Sequence, residues 1–246
     1  MMAQTGSDHI RSISIETSSA VASVALGQGD RVISEKTFSA TIGHGSSLIP
    51  TADELCRAAG WRPADLQECY ISIGPGSFTG LRVAVTFARH VALAAGVQLV
   101  AVPTMEAIAW NLLDGAASGS RQVAVFVEAK KGMVFAATFA IESGTVQTLA
   151  GPEMVAPAEY LARAPRRLTV TGSGAGKFID LIRSHGADIA GDSSWTPTAR
   201  GIFALGRGRA LAGHLTAPAE LVPLYVRRPE AEELWEKRQQ GPTKPT

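Results

Sequence analysis

The sequence predicts an α/β fold made of two successive lobes that share the element order β-β-β-α-β-α-β-α. Runs of alternating or continuous apolar residues, bounded by Gly, Asp and Ser, mark the strands, and apolar residues at helical spacing mark the helices. This order of segments is completed once and then starts again at Arg121. We therefore predict a first lobe at 10–118 and a degenerate second lobe at 119–229, with a disordered start at 1–9 and a flexible charged tail at 230–246.

The first lobe begins with three short strands joined by tight turns. We expect these strands near 10–15, 20–26 and 31–38, where they form an antiparallel meander. Apolar residues at helical spacing then predict a helix over 44–59. Gly60 ends that helix, because glycine readily adopts the left-handed conformation that closes helices.

The first lobe continues with strands and helices in alternation. A strand at 67–73 leads into a glycine-rich turn at 74–80, and an apolar helix follows at 80–95. A further strand at 98–102 precedes a helix that starts near Thr104 and extends to about residue 116.

The second lobe repeats the order with weaker patterns. We predict strands at 121–128, 133–141, 145–149 and 167–171, and helices at 157–162, 175–185 and 202–212. Two such lobes in succession are typical of the duplicated actin-like, ribonuclease H-like fold of the ASKHA group, which includes actin, sugar kinases and the Hsp70 ATPase. The sequence therefore predicts that fold.

Composition and charge exclude several classes of protein. The chain has 246 residues, of which 46% are hydrophobic and 18% charged, and its formal net charge is +1. No strong basic field is available to attract nucleic acid or anionic lipid. Cys56 and Cys69 lack the spacing of a disulfide scaffold or a zinc site. No signal-peptide core and no apolar run of about 18 residues is present, so we expect a soluble, cytoplasmic protein without membrane contact.

The turn GPGSFTG joins the apolar strand to the apolar helix. Its glycines, at Gly74, Gly76 and Gly80, are spaced too widely for a dinucleotide fingerprint, and no Lys follows them as in a P-loop. The Ser is also not in the G-x-S-x-G setting of a nucleophile elbow. Ser77 or Thr79 can cap the helix, and the free N–H groups there suit an anion. The same turn can equally serve only to pack the strand and helix closely.

The first β-hairpin is the second candidate for ligand binding. In actin-like folds this hairpin usually cradles a nucleotide phosphate, and an acidic residue at its turn holds the metal. Glu16 occupies that place and Thr17 follows it. A hydroxyl-rich turn can hydrogen-bond an anion, but a plain hairpin turn with a solvated carboxylate has the same sequence.

The sequence GPGSFTGLRVAVTFARHVA at 74–92 resembles the signature of the bacterial TsaB (YeaZ) family. Weaker similarities follow in the family's order over nearly the full chain. They are SIETSSAVASVAL at 14–26, HGSSLIP at 44–50, VPTMEAIA at 102–109, VEAKKGMVFAATF at 127–139, VTGSGAGKF at 170–178 and PLYVRRPEA at 223–231. The family usually has Asp where this chain has Glu16, which weakens the expectation of phosphate or Mg²⁺ binding there.

The resemblance implies a role in making N6-threonylcarbamoyladenosine (t6A) at position 37 of tRNAs that read codons beginning with A. TsaB proteins are non-catalytic paralogues of TsaD, which transfers the threonylcarbamoyl group, and the small ATPase TsaE joins the assembly. The resemblance implies no catalytic residue and no required cofactor in this chain. ATP or ADP can lie at the junction with TsaD, and tRNA is met through the complex.

Metal ligation is not expected from the sequence. By the resemblance, TsaD-type catalytic subunits hold a metal through an H-x-x-x-H pair on one helix face. The corresponding positions here are Thr104 and Ile108, and an isoleucine cannot ligate a metal. The five histidines of the chain are dispersed, with no pair at ligand spacing.

The helix at 80–95 is apolar nearly all round, which indicates burial on two sides. One side faces its own sheet. The helix at 44–59 can cover the other side, but the resemblance implies that these two helices pack against the equivalent pair of TsaD or of a second copy. The residues that we assign to this interface are His44, Leu48, Asp53, Arg82, Val85, Ala88, Arg89 and Ala92. Ala88→Arg is then expected to abolish docking in a folded monomer.

Two other functions remain open at this point. One is an independent ATP-dependent enzyme with the actin-like fold, either a small-molecule kinase or a carbamoyl transferase. The other is a self-associating scaffold with no link to nucleotides. Turnover by the purified chain alone would indicate the first, and self-association without binding to TsaD would indicate the second.

Overall fold

The computed structural model describes residues 9–39, 44–113 and 121–226. Its first five-stranded sheet has the strand order β3-β2-β1-β4-β5. The first three strands form the predicted antiparallel meander, and β4 and β5 run parallel to β1. The strands are β1 (Arg11–Glu16), β2 (Val21–Gln28), β3 (Arg31–Ser39), β4 (Glu68–Ser72) and β5 (Gln98–Val102).

Three helices are interleaved with these strands. They are α1 (His44–Ala58), α2 (Phe78–Ala95) and α3 (Thr104–Trp110). α2 ends where Gly96 adopts a left-handed conformation with φ 70°, and the Gly96 N–H closes the last turn on the carbonyl of Ala92.

The second sheet repeats the topology of the first. Its order is β10-β9-β6-β7-β8, again an antiparallel meander joined to two parallel strands. The strands are β6 (Arg121–Glu128), β7 (Val134–Glu142), β8 (Thr145–Val155), β9 (Thr169–Thr171) and β10 (Asp188–Ile189), and the helices are α4 (Pro157–Arg163), α5 (Ser173–Lys177), α6 (Ile179–His185) and α7 (Ala199–Leu211). The predicted duplicated fold is thereby confirmed.

The two sheets exchange their last helices. α3 follows the first sheet in sequence, but its Met105 and Ile108 pack against Phe139 of the second sheet. α7 follows the second sheet, but its Ile202 and Phe203 pack against Tyr70 and Val100 of the first sheet, together with Val102 and Ala107. α3 and α7 also contact each other. The molecule is therefore built in five layers. α1 and α2 cover the outer face of the first sheet, α7 and α3 lie between the two sheets, and α4, α5 and α6 cover the outer face of the second sheet.

Five details differ from the sequence predictions. α3 ends at Trp110, although we predicted this helix to about residue 116. The predicted helix at 175–185 is two helices, because Phe178 has non-helical φ −115° and ψ 30°. The predicted strand at 145–149 extends to Val155 through shifts in register with β7. α2 begins at Phe78, before Gly80, and the two-residue strand β10 was not predicted. The predicted disordered start (apart from residue 9), the predicted lobe boundary after residue 118 and the predicted tail lie outside the described residues.

The described part of the chain has no helix of sufficient length and apolarity to cross a bilayer. α2, with 18 residues, is the longest helix described, but it carries two arginines and a histidine along its length.

Candidate functional site

The GPGSFTG turn is a tight corner between β4 and α2. Ser77 is the N-cap of α2, and its Oγ accepts a hydrogen bond from the N–H of Gly80 at 3.3 Å. Ser77 is therefore the capping residue of the two that we considered, and Thr79 is exposed in the first helical turn. Gly74 adopts φ 111°, which side chains disfavour, and its N–H donates to Thr104 Oγ1 at 3.1 Å.

This corner is clamped onto the first hairpin. The N–H of Ser77 donates to the carbonyl of Ser18 at 2.7 Å. Gly76 lies so close to Ser18 that a Cβ on it would be 2.4 Å from the Ser18 carbonyl oxygen. Thr17 completes the clamp, because its hydroxyl donates to the carbonyl of Gly80 at 2.9 Å. The glycine at position 76 therefore serves a close approach between two backbones.

Glu16 is fully buried beneath this clamp. Its Oε1 accepts a hydrogen bond from the N–H of Ser18, whereas Oε2 and the hydroxyls of Ser18 and Ser72 have no hydrogen-bond partner of good geometry. Burial raises the pKa of Glu16 above its ordinary value of 4.5, and the nearby Ser18 and Ser72 lower it by a smaller amount. A carboxyl group in such surroundings favours its neutral, protonated form.

The hairpin does not fit a phosphate or a metal ion. Glu16, Thr17 and Ser18 are all buried, and the backbone of Gly76 fills the space over the turn. The Thr17 hydroxyl and the Ser18 N–H, which could bind an anion, are already bonded to the chain itself. The six residues that we assign to cofactor binding do converge on one corner, but the corner is closed.

A groove lies between α1 and α2 on the side away from the first sheet. It has a volume of about 520 Å³ and a mostly apolar lining. Ile49 is 59% exposed there, a large fraction for an isoleucine. The lining residues are Leu48, Ile49, Arg82, Val83, Thr86, Phe87 and His90.

The structure corrects which face of α2 is available. Val85, Ala88 and Ala92, which we assigned to the interface, are 5%, 0% and 8% exposed and belong to the core against the first sheet. Their small side chains allow α2 to approach its own sheet closely, and so they do not form a surface for a partner. Ala88→Arg would place a guanidinium in this core, so the expectation that it leaves the monomer folded is wrong on this burial.

The other residues assigned to the interface have mixed positions. Leu48 and Arg82 line the groove. Asp53 is exposed and forms an ion pair with Arg57 on the next turn of α1, at 2.9 Å. Arg89 is directed elsewhere, because its Nη2 donates to the carbonyl of Ala219 at 3.2 Å. α1 starts at His44, whose side chain lies outside the described part.

Five groove residues were missed from the sequence, namely Ile49, Val83, Thr86, Phe87 and His90. For the residues that lie on α2, a helical projection of the sequence shows which face is exposed. Arg82, Thr86 and His90 follow one another at intervals of four, and Nδ1 of His90 donates to the carbonyl of Thr86 at 2.7 Å. These three polar positions mark the outward face of an otherwise apolar helix.

The segment 216–226 runs back along α2 and ends beside the groove. Leu221 is fully buried in the core of the first lobe. Tyr225 packs against Phe78 in a tilted arrangement, with ring centroids 5.5 Å apart. Arg82 lies 3.8 Å above the Phe78 ring and its Nε donates to the Tyr225 hydroxyl at 3.3 Å. This aromatic and guanidinium cluster forms one end of the groove.

Comparison with known proteins identifies the family. Residues 32–194 match the family described as "TsaD: tRNA N6-adenosine threonylcarbamoyltransferase", and the match spans more than half of the chain. The chain belongs to this family. Its resemblance to the TsaB (YeaZ) proteins is confirmed by the relatives and solved structures that follow.

Two relatives are each named "tRNA threonylcarbamoyladenosine biosynthesis protein TsaB". The Bacillus subtilis protein is 26% identical over 91% of this chain and 96% of its own length. The Escherichia coli protein is 23% identical over 93% of this chain and 98% of its own length. Among solved structures, YeaZ from Pseudomonas aeruginosa matches 88% of this chain and 99% of its own, with a TM-score of 0.76 and 21% identity. This last match supports the fold.

The positions of the TsaD-type histidine pair belong to the core of this TsaD-family chain. Thr104 is 1% exposed and its hydroxyl accepts the hydrogen bond from Gly74, and Ile108 is 1% exposed against the second sheet. Among the residues that the structure describes, no three His, Cys, Asp or Glu side chains are grouped closely enough to hold an ion. Neither position can supply a metal ligand from the helix face that it occupies.

Proposed function

We propose that this chain is a docking subunit of the cytoplasmic complex that forms t6A in tRNA. In this proposal it is not catalytic on its own. It binds and supports a TsaD-type catalytic subunit together with TsaE, and tRNA is reached through the complex. Membership of the TsaD family and two TsaB relatives that match over nearly their whole lengths support this assignment.

The groove between α1 and α2 is the observation that carries the docking role. Apolar surface that faces water, as at Ile49 and Phe87, is typical of contacts with another protein. Two helices from a partner, packed antiparallel to α1 and α2, would bury this surface in a four-helix arrangement. The equivalent helices of TsaD are the proposed occupants in the complex.

The residues at the histidine positions of TsaD and at the first hairpin support the proposal that this chain is not catalytic on its own. Thr104 and Ile108 are committed to the core where a catalytic paralogue would carry histidines. The closed hairpin over Glu16 offers no phosphate cradle. ATP or ADP in the complex would therefore lie at the junction with TsaD, outside this hairpin. An independent ATP-dependent kinase or carbamoyl transferase is not favoured for the same reason.

The test introduces one charge into the groove. Thr86 is exposed at the centre of the groove, so Thr86→Arg should leave the core intact and obstruct the partner. We expect its affinity for the TsaD subunit of the same organism to fall at least about tenfold, since an obstructed interface centre costs more than about 1.4 kcal/mol. Calorimetry or light scattering after size exclusion measures this affinity. The matched control is Ser184→Arg, on the exposed face of α6 in the second lobe.

Reconstituted t6A formation on tRNA provides the functional readout. Thr86→Arg should lower its rate when the subunits are limiting, and Ser184→Arg should not. Full affinity and full modification with Thr86→Arg would show that the groove is not the docking surface. ATP turnover by the purified chain alone would favour the independent enzyme.

A further inference from the structure

The chain itself approaches the groove at the end of its described part. Segment 216–226 is fastened along α2 at two points, through Ala219 to Arg89 and through Tyr225 to Arg82. Arg82 also lines the groove. The described chain thus ends at Val226, one residue after Tyr225, whose side chain contacts Arg82 at the rim of the groove.

The sequence that follows contains one apolar pair in a charged setting. Residues 227–246 lie outside the described part, and within them Leu234 and Trp235 are adjacent. Four acidic residues flank this pair directly, with basic residues further out at 227, 228, 237 and 238. The acidic residues are Glu230, Glu232, Glu233 and Glu236. An apolar pair with an acidic border has the chemistry of a docking motif for an apolar groove with a basic rim.

The groove has that complementary chemistry. Its floor is formed by apolar side chains such as Leu48 and Phe87, and its two cationic or titratable groups are Arg82 and His90. Arg82 lies over the Phe78 ring, so its charge is held at the end of the groove where the chain arrives. Arg227 and Arg228 come first in the following segment, and Glu232 and Glu233 directly precede the apolar pair. When the pair lies in the groove, these two carboxylates are the charges closest to Arg82 and His90.

The distances allow contact within one molecule. Trp235 is the ninth residue after Val226, and these nine steps span about 13 Å as a helix and up to about 30 Å when extended. The groove extends over two turns of α2, from Arg82 to His90, or about 12 Å. Trp235 can therefore reach any part of the groove in either conformation.

We propose that Leu234 and Trp235 of this chain occupy the α1–α2 groove in the free subunit. A tether of nine residues gives an effective concentration in the millimolar range, far above the micromolar concentration of a second copy. The segment therefore covers the apolar groove when no partner is bound. The second part of the proposal rests on the proposed function: the TsaD subunit must displace this segment before it can dock.

Disulfide trapping in the full chain tests the first part directly. The native Cys56 and Cys69 are 5% and 0% exposed and do not interfere. The variant Ile49→Cys with Lys237→Cys keeps the apolar pair and should form an intramolecular disulfide under mild oxidation, identified by non-reducing electrophoresis and mass spectrometry. Leu149→Cys with Lys237→Cys is the matched control, because Leu149 is 46% exposed on the second sheet. We expect trapping at position 49 to be at least about tenfold faster.

Equal trapping rates at positions 49 and 149 would overturn the proposal. Disulfides that form only between molecules would overturn it too, and would assign the groove to a second copy. Glu232→Lys with Glu233→Lys, added to the trapping pair, should slow the reaction, because they reverse the charge that faces Arg82 and His90.

Adding the TsaD subunit separates this inference from the proposed function. If both are correct, TsaD slows trapping at position 49 in proportion to the complex formed. Trapping could instead be fast and remain unchanged when TsaD binds. This result would support the segment in the groove, but it would contradict its displacement by TsaD and place the docking surface elsewhere. Slow trapping together with loss of TsaD binding in Thr86→Arg would retain the docking surface and overturn the covered groove.

Discussion

Glu16 illustrates how a single buried carboxyl group affects stability. Burial raises its pKa above 4.5 in the folded chain, so the folded state binds its proton more tightly than the unfolded state. The contribution of Glu16 to stability is then fully present below about pH 4.5 and is lost as the pH rises through the folded pKa. Each unit of pKa elevation corresponds to about 1.4 kcal/mol.

We predict that Glu16→Gln removes this pH dependence. The amide keeps the acceptor for the N–H of Ser18 and can donate to the hydroxyl oxygens of Ser18 or Ser72. The variant should match the wild type near pH 4.5 and exceed it near pH 8. Urea unfolding midpoints between these pH values measure the difference. Glu54→Gln is the control, because the Glu54 side chain is 62% exposed. A constant difference across the range would contradict a raised pKa.

The residues of the closed corner were identifiable from sequence, but their environment was not. Glu16, Gly74 and Gly76 stand out by motif. Their burial depends on a contact between Gly76 and Ser18, which are 58 positions apart in sequence. Local patterns carry no information on such an approach, so a phosphate cradle and a packed turn look alike until the backbone is placed.

Two glycines of α7 show that one element has different requirements on its two faces. Gly206 faces the first sheet, where a Cβ would be 2.5 Å from Cγ of the fully buried Tyr70. Gly208 is exposed, and a Cβ there would contact nothing within 4 Å. Both lie in the helix interior, where replacing Gly by Ala otherwise favours folding by up to about 1 kcal/mol.

We therefore predict opposite effects from the same substitution two residues apart. Gly206→Ala should lower the free energy of unfolding by about 1–3 kcal/mol through overpacking against Tyr70. Gly208→Ala should raise it by about 0.5–1 kcal/mol. Chemical denaturation of both variants beside the wild type provides the measurement. Stabilisation by both substitutions would show that α7 does not pack this tightly on the first sheet.

The orientation of α2 marks the limit of sequence reasoning for an element. Its existence and approximate length followed from apolar content and the capping Ser77. Its exposed face did not follow, because apolar residues occur nearly all round and small residues suit close packing against either a partner or the sheet. Packing decides the matter, since Ala84 and Ala88 allow a closer approach to the sheet than larger side chains would.

The exchange of helices between the sheets joins the two halves of the molecule. The duplication was predictable because the order of elements repeats in sequence. The exchange was not, because an apolar helix face does not record which of two apolar sheets it covers. Removing either half would expose one face of the remaining sheet, so each half depends on a helix that the other half supplies.

We predict that the molecule consequently unfolds in a single cooperative transition. Loss of the first sheet would uncover Ile202 and Phe203, and loss of the second would uncover Met105 and Ile108. A state with one half unfolded therefore loses packing on both sides of the α3–α7 layer and should not accumulate. Calorimetry should give one peak whose calorimetric and van't Hoff enthalpies agree. Two resolved peaks would mean that the exchanged helices contribute little to cohesion, and Phe203→Ala, which truncates this layer, should then lower only one of them.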